Sequence, residues 1–277
     1  MTHDAASAAA LPPGACDCHF HVFDPAYPLA ASASVAAPER AKLSDYRKVQ
    51  AELGLTRGVL VQSSTYGFDN RCMLAALAEL GASSRGVVTV APSVDDATLA
   101  QLHAAGVRGV RFMMLNQPVL PWDALLPMAA RIAPLGWHVN LQIDGADFPH
   151  RLQQLANLPI PLVIDHNGKF LSPPGVDAPE FRALRSLMDT GRCWVKLSAP
   201  YETSRSGAPD YADVSLLART LAQAYPQPCL WASNWPHVGW ATPPGDADML
   251  RLLRAWTPDA DAFRRILVDN PQQLYGF

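Results

Sequence analysis

The stretch Cys-Asp-Cys-His-Phe-His-Val-Phe at residues 16–23 brings two cysteines, an aspartate and two histidines within six positions. Its apolar content predicts a buried strand, on which successive side chains point to opposite faces. Asp17, His19 and His21 would share the inward face, while the cysteines and Phe20 would point towards the helices. A compact zinc cluster is therefore disfavoured, because its ligands would diverge. Two inward histidines favour a functional pair over two hydrogen-bonded core histidines.

Two later stretches carry polar side chains where predicted strands end. His166 ends the apolar run PLVIDH, and Asn234 and His237 lie in WASNWPH at residues 231–237. Since the carboxyl ends of barrel strands converge on one mouth, we expect these side chains to meet the first-strand histidines there. For Asn234, capping of a turn is the structural alternative.

Lys196 lies within the apolar run CWVKLSAP and shares a face with Ser198 by alternation. An unpaired ammonium buried there would have a lowered pKa. We favour instead an ion pair with a core carboxylate such as Asp17.

Short apolar runs recur along the chain, and several begin with glycine. They are too short for helices and rich in valine, which is typical of strands buried on both faces. Stretches such as RCMLAALAEL separate them and predict helices, one of them capped by Ser93 and Asp96. Eight alternating units without a linker predict an α/β fold, a (β/α)8 TIM barrel in one domain over residues 16–277. The seven runs after residues 16–23 are GVLVQ, GVVTVAP, GVRFMML, GWHVNLQI, PLVIDH, CWVKLSAP and CLWASNWPH.

Two connections are long and rich in loop-forming residues. Residues 24–43 follow the first predicted strand, and residues 201–213 follow the seventh. Loops after barrel strands lie at the catalytic end of this fold. Both segments are therefore expected at the mouth.

Composition excludes several classes of function. The chain has 277 residues and a net charge of -3, so no basic surface predicts nucleic-acid binding, and no apolar run is long enough to predict a membrane span. Residues 1–15 lack the features of a signal peptide and predict a disordered tail. The five cysteines include no C-x-x-C pair, which favours reduced thiols in the cytoplasm over an exported, disulfide-bonded protein. Monomer and homodimer both remain open.

The three polar stretches form a familiar set. D-x-H-x-H on the first strand, I-D-H-x-G on the sixth and W-x-S-N-W-P-H on the eighth resemble the amidohydrolase superfamily, in particular the branch of 2-pyrone-4,6-dicarboxylate lactonases. The resemblance extends over residues 17–277 and implies a distorted TIM barrel that performs hydrolysis. Members of the superfamily usually use one or two divalent metals, held by the first-strand histidines and a last-strand aspartate. The lactonase branch is known for working without a required metal; there the histidines polarise the lactone carbonyl and the aspartate activates water.

This sequence departs from that pattern at the last strand, where Asn234 replaces the aspartate of the family. An amide cannot accept a proton from water, and it is a poorer ligand for a hard cation. Three explanations stay open: an engineered substitution that traps a substrate, a natural member in which His237 or a metal-bound hydroxide is the base, or a chain that has lost activity.

A second departure concerns substrate binding. Arg111 matches the arginine of the family's fourth strand, although a structural ion pair is an alternative, and no second arginine follows it. Glu202 lies where a cation would be expected, so a mono-acid or sugar-type lactone is favoured over a dicarboxylate. The other predicted substrate contacts are Ser64, Tyr66, Gln142, Lys169, Ser198 and Tyr201.

These observations predict an enzyme that hydrolyses a small-molecule lactone. His19, His21 and His166 would stabilise the oxyanion at the scissile carbonyl. No metal is expected to be required, although the same histidines could hold a single zinc or manganese ion. A metal-dependent decarboxylase on the same barrel and a non-catalytic binder are the alternatives.

Overall fold

The computed structural model describes residues 10–39, 41–115 and 118–277. Residues 1–9 of the predicted disordered tail lie outside the described residues. Where the chain enters the barrel, Ala15 is fully buried, and its carbonyl accepts hydrogen bonds from the backbone N–H groups of Thr56 and Arg57.

Eight parallel strands form one sheet in sequence order, which confirms the predicted barrel. The sheet closes between its last and first strands through two backbone hydrogen bonds, from Asn234 N to the carbonyl of His19 (2.9 Å) and from His21 N to the carbonyl of Trp235 (2.9 Å). The strands are β1 Cys16–Phe20, β2 Arg57–Val61, β3 Ser84–Val88, β4 Val107–Met113, β5 His138–Gln142, β6 Leu162–Ile164, β7 Cys193–Leu197 and β8 Cys229–Trp231.

Helices surround the strands, as the alternation of the sequence predicts. In the described residues they are α1 Leu43–Leu53, α2 Arg71–Leu80, α3 Asp96–Ala104, α4 Leu125–Ile132, α5 Phe148–Ala156, α6 Pro179–Asp189, α7 Ala212–Ala224, α8 Asp246–Trp256, α9 Ala260–Arg264 and α10 Asn270–Tyr275. None of these described helices has the length and apolar character that a membrane span needs.

The cap of helix α3 differs from the prediction. The side chain of Asp95, and not Ser93, accepts a hydrogen bond from the backbone N–H of Thr98, at 2.6 Å. The residue whose side chain caps a helix is the one that directly precedes its first helical turn. The start of a helix is easily misplaced by two residues when it is predicted from sequence.

Strand β1 contains an irregularity that changes which side chains face inwards. Asp17 pairs with Gly58 of β2 and Phe20 with Leu60, so three steps on β1 match two on β2. This is the residue count of a β-bulge, which resets the alternation of side chains. As a result Cys18 and His19 both face the barrel interior, and Asp17 faces helix α1, where it accepts a hydrogen bond from Tyr46.

The predicted faces are therefore right for His19, His21 and Phe20 and wrong for the other three residues of the strand. Cys16 and Cys18 pack inside the barrel against valines such as Val59 and Val61. All five cysteines are buried free thiols. The barrel interior is thus apolar below and polar above, where the strands end.

Candidate active site

A network of polar side chains fills the barrel interior below the mouth. Lys196 Nζ lies 3.1 Å from Asp165 Oδ1 and donates to Asn140 Oδ1 at 2.5 Å and to His19 Nδ1 at 3.0 Å. Asn140 Nδ2 in turn donates to Asp165 Oδ2 at 2.9 Å. Lys196, Asp165, Asn140 and His19 are fully buried, and together with His21 they are called the interior network below.

The partners of the two histidines determine their tautomers. His21 Nδ1 lies 2.8 Å from the carbonyl of Val61, which only accepts, so Nδ1 carries the proton. His21 Nε2 must then accept from His19 Nε2, 3.2 Å away. His19 Nδ1 is then unprotonated, and although it lies 3.2 Å from Asp165 Oδ1 it accepts its hydrogen bond from Lys196 Nζ, at 3.0 Å. The hydrogen bonds thus run in one direction, from Lys196 through both rings to Val61.

Burial keeps both rings neutral. It lowers the pKa of His21 to about 3 and, together with the charge of Lys196, holds the pKa of His19 well below its usual range. Burial alone would raise the pKa of Asp165, but the charge of Lys196 outweighs it and holds that pKa well below its usual range. The network therefore contains one cation and one anion at neutral pH.

The sequence-based partner of Lys196 is wrong. Lys196 pairs with Asp165 from the neighbouring strand end, whereas Asp17 faces away and binds Tyr46 and Ser233. Burial raises the pKa of Asp17 to about 6 against the effect of these hydrogen bonds.

Above the network lies a pocket of about 330 Å³. Seven of the predicted site residues line it, together with Glu202 and residues of the long loop after β1, such as Ser34 and Val35. That loop and the segment after β7 therefore both reach the mouth, as expected. The seven are His21, Ser64, Arg111, Gln142, His166, Lys169 and Asn234.

Arg111 is fixed at the pocket wall by its neighbours. It donates from Nη1 to the carbonyl of Gln62 at 2.8 Å and from Nη2 to Gln142 Oε1 at 3.1 Å, while its buried Nε has no partner. No carboxylate within salt-bridge distance is found for it among the described residues, so the alternative of a structural ion pair is not realised there. Its charge is available to a ligand.

The opposite wall joins the ends of β6, β7 and β8. Glu202 pairs with Lys169 through Oε2 and accepts a hydrogen bond from Asn234 Nδ2 through Oε1, at 3.1 Å. Asn234 Nδ2 also donates to the hydroxyl of Tyr201, at 2.8 Å. A carboxylate can only accept, so the amide nitrogen of Asn234 must face Glu202.

Five predicted site residues do not line the pocket. Three of them stand directly behind lining residues: His19 behind His21, Ser198 against Nδ1 of His166 (2.9 Å), and Tyr201 against Asn234. Tyr66 is bound instead by the backbone N–H of Asp24. The fifth, His237, has both ring nitrogens engaged.

The contacts of His237 bear on its suggested role as a base. The Tyr201 hydroxyl lies 2.8 Å from Nδ1, and Asp246 Oδ1 lies 3.1 Å from Nε2. Because the Asp246 carboxylate can only accept, Nε2 carries the proton and Nδ1 accepts from Tyr201. No lone pair of this ring is left for a substrate or water.

Three residues were not predicted from the sequence as members of this site. Asp165 was visible within the motif I-D-H-x-G, directly before His166, but its partner was not. Asn140 had one signal, alternation with Gln142 on the same strand. Glu202 was noted only as an unexpected charge.

Three buried side chains of types that bind metals lie close together in the site. His19, Asp165 and His166 bring one ligand atom each within 4.8 Å of one another, and such a set can hold an ion. Here, however, the ammonium of Lys196 already neutralises Asp165 and donates to His19. A dication would therefore find no unpaired carboxylate in this set and would lie near the positive charges of Lys196 and Arg111. In this arrangement the residues do not fit a divalent metal.

Comparison with known proteins adds a family. The profile of the amidohydrolase family matches residues 16–277. A 2-pyrone-4,6-dicarboxylate hydrolase of Comamonas testosteroni is 37% identical over 96% of this chain and 91% of its own length. A D-galactarolactone isomerase of Agrobacterium fabrum is 34% identical over 96% of this chain and 92% of its own.

Among solved structures, an apo protein from Agrobacterium tumefaciens has the same fold throughout. It superimposes with a TM-score of 0.92 and 33% sequence identity, covering 97% of this chain and 98% of its own.

Proposed function

This chain belongs to the amidohydrolase family, and we propose that it is an enzyme that opens the ester ring of a lactone formed by a small carboxylic or sugar acid. The observation that carries the proposal is the pocket itself, in which one unpaired guanidinium faces a wall of hydrogen-bonding groups. Similarity to a lactone hydrolase and a lactone isomerase over nearly the full chain supports it.

Arg111 is the group that would bind a carboxylate of the substrate. Its remaining N–H groups can bind a planar carboxylate in a bidentate manner, which fixes orientation as well as affinity. The opposite wall carries the ion pair of Glu202 and Lys169, which leaves no unpaired cation there for a second substrate carboxylate, and Glu202 can accept from hydroxyl groups. This favours a lactone with one carboxylate and several hydroxyls over a dicarboxylate.

His166 is our candidate for the donor to the scissile carbonyl. The hydroxyl of Ser198 can donate to Nδ1, which leaves Nε2 protonated and free to donate into the pocket. Burial lowers the pKa of His166 to about 4, so the ring acts as a neutral donor at pH 7. The predicted roles of His19 and His21 change accordingly: their N–H groups point at each other and at Val61, so they support the site rather than contact the carbonyl.

We further propose that turnover requires no metal, because Lys196 supplies the positive charge that balances Asp165. Activity should survive dialysis against a chelator and should not rise on addition of zinc or manganese. A stoichiometric, tightly held metal whose removal abolishes turnover would refute this part of the proposal.

The five buried free thiols are compatible with a reducing compartment, and we expect the cytoplasm. A monomer or homodimer without nucleic-acid partners is expected.

The test is a panel of lactones, including 2-pyrone-4,6-dicarboxylate and D-galactarolactone, followed by proton NMR with the protein and with Arg111→Gln. Ring opening of a hydroxylated lactone, with kcat/KM reduced about 10- to 100-fold in the variant, is expected from the loss of a charge-assisted hydrogen bond. Release of CO₂ would indicate the decarboxylase alternative, and thermal shifts without turnover would indicate a binder.

Lactone isomerisation is the second candidate, favoured by Asn234. The aspartate of the family activates a water molecule, and the amide of Asn234 cannot take over that role. In isomerisation a hydroxyl of the substrate replaces water as the nucleophile, and a base elsewhere in the pocket accepts its proton. The similarity to a D-galactarolactone isomerase points the same way. The same NMR spectra distinguish a shifted ring from an open acid.

A further inference from the structure

Glu202 is a carboxylate of the pocket to which neither the family pattern nor the sequence assigns a role. It ends the short turn Pro200–Glu202 after β7. Its side chain is only 16% exposed, and it lines the cavity beside His166 and Lys169. A glutamate in such a position must be either a structural partner or a participant in the chemistry.

The two hydrogen bonds that Asn234 donates bear on the choice between these two roles of Glu202. Both N–H bonds of the Asn234 amide are used on this wall, by Tyr201 and by Oε1 of Glu202. The amide group therefore orients the carboxylate and has no lone pair directed at it. An aspartate at position 234 would place two carboxylates about as close as this 3.1 Å contact, where like charges oppose joint ionisation. The hydrogen bonds of the wall are therefore complementary to an asparagine at position 234.

We propose that Glu202 is the general base of this site, so that the proton-accepting carboxylate lies after β7 instead of at the end of β8. The inference rests on the proposed lactone chemistry and adds the residue that starts it. Asn234 becomes a positioning residue that holds the carboxylate towards the pocket.

The step balances without a cofactor. Glu202 accepts a proton from the attacking hydroxyl, which belongs to water or to the substrate, and the new C–O bond forms at the lactone carbonyl. The bond from the carbonyl carbon to the ring oxygen then breaks, and the proton held by Glu202 passes to the departing ring oxygen. Water as the nucleophile gives a hydroxy acid, and a substrate hydroxyl gives an isomeric lactone.

The surroundings keep Glu202 ionised, as a base must be. The groups facing it are His166, Lys169, Arg111, Tyr201 and Asn234. Burial acts to raise its pKa, but the charge of Lys169 and the hydrogen bonds from Lys169 and Asn234 outweigh burial and lower it. The base form is therefore the resting form at neutral pH.

The experiment compares two nucleophiles on the lactone that the protein turns over, with Glu202→Gln and with Glu52→Gln as the matched control. Glu52 lies on the exposed surface of α1 and does not line the pocket, and Glu52→Gln makes the same chemical change. Hydrolysis or isomerisation needs a base, whereas hydroxylamine attacks as a neutral amine. In Glu202→Gln we expect kcat for the native reaction to fall at least 100-fold, and enzyme-catalysed hydroxamate formation to fall less than tenfold.

Two results with Glu202→Gln overturn the inference, and a third comes from Asn234→Asp. One is a native kcat within tenfold of the unmodified protein, and the other is an equal loss with both nucleophiles, which would make Glu202 a binding group. Circular dichroism and the melting temperature confirm that each variant is folded, and Asn234→Asp supplies an independent readout. We expect Asn234→Asp to lower kcat, and a rise of tenfold or more would place the base at position 234 and also overturn the inference. Failure of the proposed function is separate, since the unmodified protein would then open no lactone.

Discussion

The interior network and the wall formed by Lys169, Glu202 and Asn234 contain similar chemical groups but are built differently. Network residues such as Lys196, Asp165 and His19 have no exposed surface and find every partner inside the barrel. The wall residues lie in turns after β6, β7 and β8 and face the cavity.

Backbone geometry shows the same contrast. All seven described non-glycine residues with positive φ lie in the segments that follow β6, β7 and β8. Such conformations cost roughly 1–2 kcal/mol each, and they tend to persist where function needs them. The comparison teaches that the strands supply a rigid and charge-balanced foundation for the site, while strained turns supply the reactive groups. The seven residues are His166, Asn167, Lys169, Ala199, Tyr211, Asn234 and His237.

The largest effect that would test this contrast is expected for Lys196→Met. Removal of the ammonium leaves the Asp165 carboxylate buried without a counter-charge, which costs about 3–5 kcal/mol of unfolding free energy. Urea denaturation of the variant measures the loss directly. Glu202→Gln, on the partly exposed wall, should cost less than half as much.

The double variant Lys196→Met/Asp165→Asn is the control for this prediction. With no charge left in the interior, it should recover at least half of the stability that Lys196→Met loses. If the double variant loses as much unfolding free energy as Lys196→Met and Asp165→Asn lose together, the two residues are not coupled. The charges of the network would then not stabilise each other.

The second largest effect is expected on acidification, which should lower the free energy of unfolding. The folded pKa values of His21 and His166 are about 3 and about 4, below the 6.5 of an unfolded histidine. Between these values the unfolded chain binds more protons, so stability is present above pH 6.5 and is lost as the pH falls. At pH 5 each of these histidines should cost roughly 2 kcal/mol.

Asp17 acts in the opposite direction, since its folded pKa of about 6 favours the folded state in acid. One such group offsets only part of the effect of the histidines. The measurement is the unfolding free energy between pH 8 and pH 4.5, with His166→Gln as the matched variant. The variant should show a shallower loss, by about 1.4 kcal/mol per pH unit; an unchanged slope would mean that His166 is not held neutral.

The smallest effect is expected for His237→Gln. Its ring contacts Tyr201 and Asp246 behind the wall, and its removal should reduce kcat less than tenfold and cost about 1–2 kcal/mol of stability. Steady-state kinetics on the same lactone measures it. A fall of 100-fold or more would show that His237 takes part in the chemistry and would contradict the hydrogen-bond assignment given above.

Much of the fold could be predicted from the sequence because its signals are local. The run RCMLAALAEL coincides with helix α2, and all eight apolar runs became strands of the barrel. The family resemblance predicted Arg111 and the end of the fifth apolar run predicted Gln142 as pocket residues, and both line the pocket, where β4 and β5 pair in regular register. Side-chain alternation was right for His19 and His21. It failed at Asp17 and Cys18, because a bulge depends on how two strands pair and leaves no mark in the strand that contains it.

The sequence by itself determined the barrel, the family and the convergence of His21, His166 and Asn234 on one mouth, since short motifs, side-chain alternation and strand order require only short-range information. Tertiary structure alone decided the partners: Asp165 for Lys196, and Glu202 for Asn234. A hydrogen bond or ion pair depends on distances of a few ångströms between groups more than 30 positions apart in the chain. Those distances are set by register and by strained turns, which no local pattern encodes.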